Sequence, residues 1–435
     1  MNWAADLALF FGLLVAMMLS GMPVAFGFIT LNIIGLYLYL GIGSLSLLAT
    51  SSFSSIGQFS LIPIPLFILM GELLLRTGLA GKTVEAVDQW IGRLPGRLSL
   101  SSVGGGTLFG ALSGASMASV AMLGATLVPE MAKRGYKPEM SVSSILAGGG
   151  LAVLIPPSAL GVLLGALAKV SIAELLLAGI LPGLLLATLY FIYFSVRAKL
   201  QPHLAPPYEA PDITLGHKLH TLLTVLPLLL LIVIVTGFIF LGIATPSESA
   251  AMGVIATLIV AAFYRRLTWD ALKKAMMSTM TTSAMMLLVI VGSTGFGQLL
   301  AASGATSSLV AWVGALVIAP ILLVIAMQAI VLLLGCFIDT ISIMLISIPV
   351  FMPIILNLGI DPIWFCILIL VQLELAGITP PFGVLLFVMK GVQQHLKVSE
   401  IYRAAMPIVL IQILLVAILM IIPQIVTTLP DLIRN

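Results

Sequence analysis

Two proline pairs stand 224 residues apart: Pro156-Pro157 in LAVLIPPSALGVLLG (Leu151 to Gly165) and Pro380-Pro381 in LAGITPPFGVLLF (Leu375 to Phe387). Both interrupt segments that are otherwise helical in character. Proline has no amide hydrogen and leaves the carbonyl four residues earlier without its partner, so each pair breaks its helix. Counting back four residues puts the freed carbonyls on Ala152 and Val153 in the first segment and on Ala376 and Gly377 in the second. A lipid-facing segment does not tolerate such a break, because nothing around it replaces the lost bonds. Breaks at matching places in two halves therefore point to unwound helices meeting at a buried polar site, as in a secondary transporter.

Lipid is the relevant solvent. The chain is 61% hydrophobic and only 8% charged, its mean hydropathy is +1.24, and runs of about 20 apolar residues recur along its length. It reads as an all-α polytopic membrane protein. A net charge of +3 is too small to suggest nucleic acid, and the placement of the basic residues matters instead because it fixes orientation. Cys336 and Cys366 both fall in apolar segments and read as small core residues, implying neither a disulfide framework nor a metal cluster. The opening residues MNWAAD carry no positive n-region, so the first apolar stretch reads as a span and not as a cleaved signal peptide.

Crossings are expected at about 6 to 20, 23 to 41 and 61 to 75, with an uncharged, Ser-rich connector from Gly43 to Ser60 before the last of these. Arg76 to Arg97 is a basic amphipathic piece suited to an interfacial helix. Gly104 to Val128 is about one span long, but its centre, GALSGASMAS, is small and hydroxylated. Basic residues flank it on both sides (Arg93 and Arg97 before, Lys133, Arg134 and Lys137 after), which puts both ends on one side of the membrane and makes it a re-entrant hairpin. The broken helix at Pro156 then crosses to Lys169, and a span at about 175 to 195 returns to Arg197. Gln201 to His220 is the aqueous linker between the halves.

The second half repeats the plan. Spans at about 221 to 243 and 248 to 264 flank ATPSES, a short amphipathic LTWDALKKAM replaces the Ser-rich connector, and GQLLAASG matches the earlier GELLLRTG. The uncharged Ala305 to Ile318 takes the place of the basic interfacial piece, and a second hairpin at about 321 to 352 carries FIDTIS. Pro353, Gly359 and Pro362 repeat Pro129, Gly135 and Pro138 at the same shift of 224, and a last span ends near Thr428. Five crossings per half require the second half to be inverted. With both termini outside, 17 of the 19 Lys and Arg face the cytoplasm and only Lys169 and Arg434 lie outside.

Domain limits follow: 1–97 as scaffold spans and first arm; 98–172 as the first hairpin and broken helix; 173–319 as scaffold spans, the cytoplasmic linker 197–220 and the second arm; 320–400 as the second hairpin and broken helix; and 401–435 as the last span and tail. The hairpins and breaks are expected to move as one body against the remaining spans, since each ion site draws ligands from a hairpin and a break.

Freed backbone carbonyls suit a hard cation such as sodium, which takes oxygen ligands and needs no charged side chain there. Ser113 and Ser116 at the first hairpin, and Gly335, Asp339 and Thr340 at the second, are placed to close the two cages, with Ser158 and Thr379 beside the breaks. The bland alternative is that the prolines only kink two helices while the hydroxyls bond back to their own turns. Intramembrane carboxylates are few, namely Glu72, Glu248, Asp339 and Glu374. A charge at bilayer depth costs about 2.5 to 3.5 kcal/mol or more, so each needs a partner or a wet cavity. Asp339 and Glu374 are the functional candidates; Glu248 reads as a first-turn acid favoured by the helix dipole, and Glu72 as the partner of Arg76 one turn on. GLAGKT (Gly78 to Thr83) is no phosphate loop, because Arg76 stands where the first glycine is required, and the four histidines form no metal-protease pattern. An organic anion would be held by hairpin helix ends with hydroxyls such as Ser116, Ser158 and Thr340.

SGMPVAF (Ser20 to Phe26), LIPPS (Leu154 to Ser158), ATPSESAA (Ala244 to Ala251), GCFIDT (Gly335 to Thr340) and LELAGITPPFG (Leu373 to Gly383) together resemble the large membrane subunit of tripartite ATP-independent periplasmic (TRAP) transporters, over essentially the whole chain. The resemblance implies an elevator-type, sodium-coupled importer of small organic acids (a dicarboxylate, sialic acid or keto acid) in the bacterial inner membrane. It implies sodium as the coupling ion with no cofactor, and two partners: a small four-helix membrane subunit, separate because this chain starts directly at its first large-subunit span, and a periplasmic substrate-binding protein. It places sodium at Gly110, Ser113, Ala152, Ile155 and Pro157 in the first half and at Gly335, Asp339, Ala376, Thr379 and Phe382 in the second. Substrate would fall to Gly114, Ser116, Ser158, Thr340, Ser342 and Pro381. Ala376 stands where the family motif commonly has glycine, a change that leaves a backbone ligand in place. The rival readings are a stand-alone ion-coupled organic-anion transporter, a channel, which needs a continuous polar path, and an intramembrane enzyme, which needs a nucleophile or metal set that the sequence lacks.

Overall fold

The computed structural model describes residues 3–92, 94–206, 215–316, 318–335, 338–381 and 383–434, and every regular element among them is helical. Six stretches (Phe59–Arg76, Ile172–Leu200, Pro246–Phe263, Trp269–Ala302, Thr340–Asn357 and Val398–Ile421) are long and apolar enough to cross a membrane. Shorter apolar helices accompany them. The chain is a multi-pass, all-helical membrane protein.

The first half runs α1 (Trp3–Leu19), α2 (Val24–Leu40), α3 (Ser44–Ile56), α4 (Pro63–Arg76), α5 (Leu79–Ile91), α6 (Arg97–Ser113), α7 (Ser116–Lys133), α8 (Pro138–Gly150), α9 (Ala159–Ala168), α10 (Ile172–Ala178) and α11 (Ile180–Leu200). The second half runs α12 (Leu215–Phe240), α13 (Pro246–Phe263), α14 (Trp269–Ala302), α15 (Ala305–Ala315), α16 (Pro320–Gly335), α17 (Thr340–Asn357), α18 (Pro362–Ile378), α19 (Val384–Val392), α20 (Val398–Ile421) and α21 (Gln424–Arg434). Local signals recur between the halves. Gly135 and Gly359 both take positive φ (+80° and +66°) after a hairpin's second helix, where only glycine is unstrained. Pro138 and Pro362 then open α8 and α18 at the first helical turn, where a missing amide costs nothing.

Helices α6 and α7 pack as one hairpin and α16 and α17 as another, the first against α8 and the second against α18. The arm α5 lies along α6 and is tied to it by an ion pair in which Arg97 Nε donates to Asp88 Oδ1 at 3.0 Å and Ser101 Oγ donates to the same oxygen at 2.8 Å. The glycine runs are sites of close packing: a Cβ on Gly106 would lie 2.7 Å from the backbone of Gly148, so α6 and α8 touch backbone to backbone.

Three boundaries differ from expectation. The Ser-rich connector is the helix α3, because its hydroxyls bond back to carbonyls three or four residues earlier, as Ser52 Oγ does to Leu48 O at 2.6 Å and Ser55 Oγ to Ser52 O at 2.8 Å. Polar side chains that satisfy themselves in this way do not stop a helix. LTWDALKKAM is not a separate piece; it is the first turns of the 34-residue α14, capped by Thr268, whose hydroxyl accepts from the Ala271 amide, with no proline or glycine before Gly292 to end it. The last span stops at Ile421, since Pro423 cannot continue it, and the remainder forms the amphipathic α21.

Candidate functional site

Each hairpin's first helix ends against a break. In the first half α8 gives way to a single 3-10 turn, Leu151–Val153, and α9 resumes at Ala159. The amides of Leu154 and Ile155 both donate to Leu151 O, at 3.2 and 3.1 Å, and among the described turn and loop bonds none ends on the carbonyls of Ala152 or Val153. In the second half α18 ends at Ile378; the Thr379 amide donates to Ala376 O at 3.3 Å and Thr379 Oγ1 to Leu375 O at 2.6 Å. Ala376 is thus less bare than a count of four from the proline implies, because a longer i to i+3 bond closes the last turn. Both Pro-Pro peptides are cis.

The pairing of hairpin with break is tight. A Cβ on Gly110 would lie 2.8 Å from Ala152 Cβ and 2.9 Å from its Cα, while a Cβ on Gly335 would lie 2.1 Å from Ala376 Cβ and 3.0 Å from its Cα. Only glycine permits these approaches, and they bring together residues that the resemblance assigns to the same site, Gly110 with Ala152 and Gly335 with Ala376. Gly114, with φ of +61°, turns the first hairpin beside the break, where an added Cβ would lie 3.2 Å from Pro157 O.

Both hairpin tips and the helix ends beside both breaks open on one cavity of about 490 Å³, which Gly114, Ser116, Ala159, Asp339, Thr340, Glu374, Gly377 and Val384 line from one side. The scaffold helices α4 and α14 close it with Ile68, Gly71, Glu72, Met285 and Met286. No Lys, Arg or His lines it among the described residues. Asp339 caps α17, its Oδ2 accepting from the amides of Ile341 and Ser342 at 3.1 and 3.2 Å, and its Oδ1 accepts from Ser342 Oγ. Helix α7 starts at Ala115 with no side-chain cap. Glu72 Oε2 accepts from Arg76 Nε at 3.1 Å and its Oε1 from Ser278 Oγ at 2.8 Å. Glu248 forms a capping box with Thr245 at the start of α13.

Of the expected substrate residues, Gly114, Ser116 and Thr340 face the cavity. Ser158 is buried beneath it and caps α9, accepting from the Gly161 amide at 3.1 Å. Ser342 is turned to Asp339, and the carbonyl of Pro381 accepts from the Tyr402 hydroxyl. Ile155 packs near Gly183, whose added Cβ would lie 2.7 Å from its Cγ1. Phe382 and the side chain of Ser113 lie outside the described residues, as does Cys336, whereas Cys366 is buried.

Sequence reasoning missed the bond that joins the halves: Ser116 Oγ donates to Glu374 Oε2 at 2.8 Å. It also missed the apolar methionine wall, and a second cavity of about 770 Å³ where Ser51, Ser54 and Gln58 face Lys169, Ser293 and Gln298. There Ser51 Oγ donates to Gln298 Oε1 at 3.1 Å. The available signal was a hydroxyl-rich stretch without charge, together with Gln298, the one glutamine of α14.

A sequence model of the family described as "Tripartite ATP-independent periplasmic transporter, DctM component" matches residues 11–425. Among curated proteins, the C4-dicarboxylate TRAP transporter large permease protein DctM of Pseudomonas aeruginosa is 32% identical over 371 residues, 85% of each chain. The ectoine TRAP transporter large permease protein TeaC of Halomonas elongata is 31% identical over 96% of this chain and 97% of its own. The isethionate TRAP transporter permease protein DctMQ of Oleidesulfovibrio alaskensis is 30% identical over 83% of this chain and 56% of its own. Among solved structures, the YdaH transporter of Alcanivorax borkumensis, reported to have an unusual topology, superposes with a TM-score of 0.60 at 17% identity, covering 88% of this chain and 89% of its own; it shares the fold.

Proposed function

We propose a transport cycle for this chain, which belongs to the DctM component family of tripartite ATP-independent periplasmic transporters and is a transporter permease, not an enzyme. In this reading it imports a small organic anion with sodium across the bacterial inner membrane, its two halves inverted and its termini periplasmic. The observation that carries it is the recurrence of one contact: Gly110 on Ala152 and Gly335 on Ala376, either side of one cavity. A hairpin end pressed on an unwound, carbonyl-bearing segment is how a cation site is built without charged ligands, and two of them beside one cavity tie ion to substrate.

The residues present fit sodium. Ala152 and Val153 offer carbonyls without a described turn or loop donor, and Ala376 and Gly377 offer the second set. Bound sodium would supply positive charge next to a cavity that has no basic lining residue among the described residues. The anion is met by the N-terminus of α7, where helix amides favour negative charge, with the hydroxyls of Ser116 and Thr340 beside it. The named relatives are permeases for C4-dicarboxylates, ectoine and isethionate, which supports a small carboxylate or related acid as the class for this chain. A separate four-helix membrane subunit and a periplasmic binding protein complete the system and deliver the substrate.

Movement follows from the same contacts. Both ion sites combine a hairpin with a break, so 98–172 and 320–400 travel together against the other spans. Along α14 the first cavity is lined between Thr282 and Met286 and the second between Ile290 and Ala301, with centres about 17 Å apart at 1.5 Å per residue, so the two cavities follow one another along one scaffold helix. The test is uptake into proteoliposomes holding both membrane subunits and supplied with loaded binding protein. Uptake against a gradient that stops when sodium is removed is expected, with Pro156→Ala and Pro380→Ala each losing sodium dependence while still inserting. Uptake indifferent to sodium, or unchanged in both variants, overturns the reading.

A further inference from the structure

Glu374 is the one cavity carboxylate whose bonds are incomplete. Glu72 is held by Arg76 and Ser278, and Asp339 is spent on the start of α17. Glu374 is only 5% exposed. Its Oε2 accepts from Ser116, but its Oε1 is buried and has no hydrogen-bond partner. The ion pairs of the described residues involve other carboxylates, those of Glu72, Asp88, Glu130 and Asp270. A buried carboxylate without a counter-charge is unfavourable and is relieved by a proton or by a cation, and an orphaned oxygen joined to both halves offers a cation a place.

Its position is specific. Glu374 sits two residues before Ala376 on α18, yet its carboxylate lies on the first half: a Cβ on Gly150 would stand 2.7 Å from Oε1, at the residue where α8 ends. The same side chain thus touches the first hairpin through Ser116, the first break through Gly150, and the second break through its own helix. The lone charge selects a monovalent ion; no group of three acidic, His or Cys side chains suited to a heavier metal exists among the described residues.

We infer that Glu374 Oε1 binds a third sodium ion, distinct from the two carbonyl cages and joined to both. Ser116 fixes the carboxylate by its other oxygen, which leaves Oε1 free to serve as an oxygen ligand of the kind a hard cation takes. The inference rests on the sodium-coupled reading above. Glycine at position 150 is part of the site, since any side chain there would displace the ligand oxygen.

The experiment counts sodium bound at equilibrium by the purified full chain in detergent, using radioactive sodium, for the wild type, Glu374→Gln and Glu374→Asp. Three ions are expected for the wild type, two for Glu374→Gln, and three with one at least tenfold weaker for Glu374→Asp. Equal counts in the wild type and Glu374→Gln overturn the third site while leaving the two cages intact. A wild type that binds no sodium removes the underlying reading as well. If Glu374→Gln fails to fold, judged by gel filtration, Ser116→Ala replaces it: one of three affinities is expected to fall about tenfold, and three unchanged affinities overturn the inference.

Discussion

The two hairpin tips face the same cavity but begin their second helices differently. At the second tip Asp339 caps α17 with its own carboxylate, whereas at the first α7 starts at Ala115 with no side-chain cap and its hydroxyl Ser116 turns across the halves to Glu374. An acidic cap occupies the positive end of a helix and repels a second anion there. The first tip is therefore the one suited to a negatively charged substrate, and the second is rigid and already neutralised. The arms differ in the same sense: α5 is latched to its hairpin by the Arg97 and Asp88 pair, while α15 consists of ATSSLVAWVGA, with no charge to make such a latch. In the proposed cycle the first tip would therefore meet the anion and the second would support it.

Breaking the latch has the largest expected effect. Asp88→Ala leaves the Arg97 side chain, 7% exposed, without its main counter-charge, and removing one partner of a buried pair costs about 3 kcal/mol or more; thermal unfolding in detergent measures it. A charge reversal of nothing comparable is available in α15. Next come the two contact glycines. Gly335→Ala should cost about 3 kcal/mol and Gly110→Ala about 1 to 2 kcal/mol, within the usual range for overpacking, because the added carbon meets Ala376 at 2.1 Å in one case and Ala152 at 2.8 Å in the other. An equal cost at both would mean that the two cages are packed alike. Smaller still is the cap: Asp339→Ala should lose about 1 kcal/mol and Asp339→Asn almost nothing, since asparagine caps as well as aspartate. The counterpart at the first tip, Ala115→Asp, should leave stability unchanged or slightly raised and weaken anion binding at least tenfold, read by substrate binding at fixed sodium. Undiminished binding would place the anion elsewhere.

Much of this was legible in the chain, for reasons that differ by residue. Pro156, Pro380, Gly135, Gly359, Pro138 and Pro362 act on their own backbone, so their effect could be read without knowing the fold, and the breaks and helix starts fall where they indicate. That the first hairpin meets the first break followed from chain order, whereas Gly110 as its contact point came from the resemblance and the contact itself from the structure. The helix α3 was hidden because serine reads as a loop former, although in an apolar setting its hydroxyl satisfies its own helix. The bond from Ser116 to Glu374 spans 258 positions and joins residues with no shared period, so nothing local announces it. Ser158 was read as a substrate ligand by its type and Ser342 through the resemblance; both are bonded at the helix starts beside them, contacts that only the side-chain geometry shows.

The central claim is that two hairpin ends and two unwound helices build cation sites from backbone oxygen. The most direct measurement is a pair of high-resolution maps of the protein, one prepared in sodium and one in a large organic cation that cannot enter. The account predicts difference density within ligand distance of the Ala152 carbonyl and of the Ala376 carbonyl, present only in sodium. Sodium-dependent uptake with no such density at either carbonyl would contradict it.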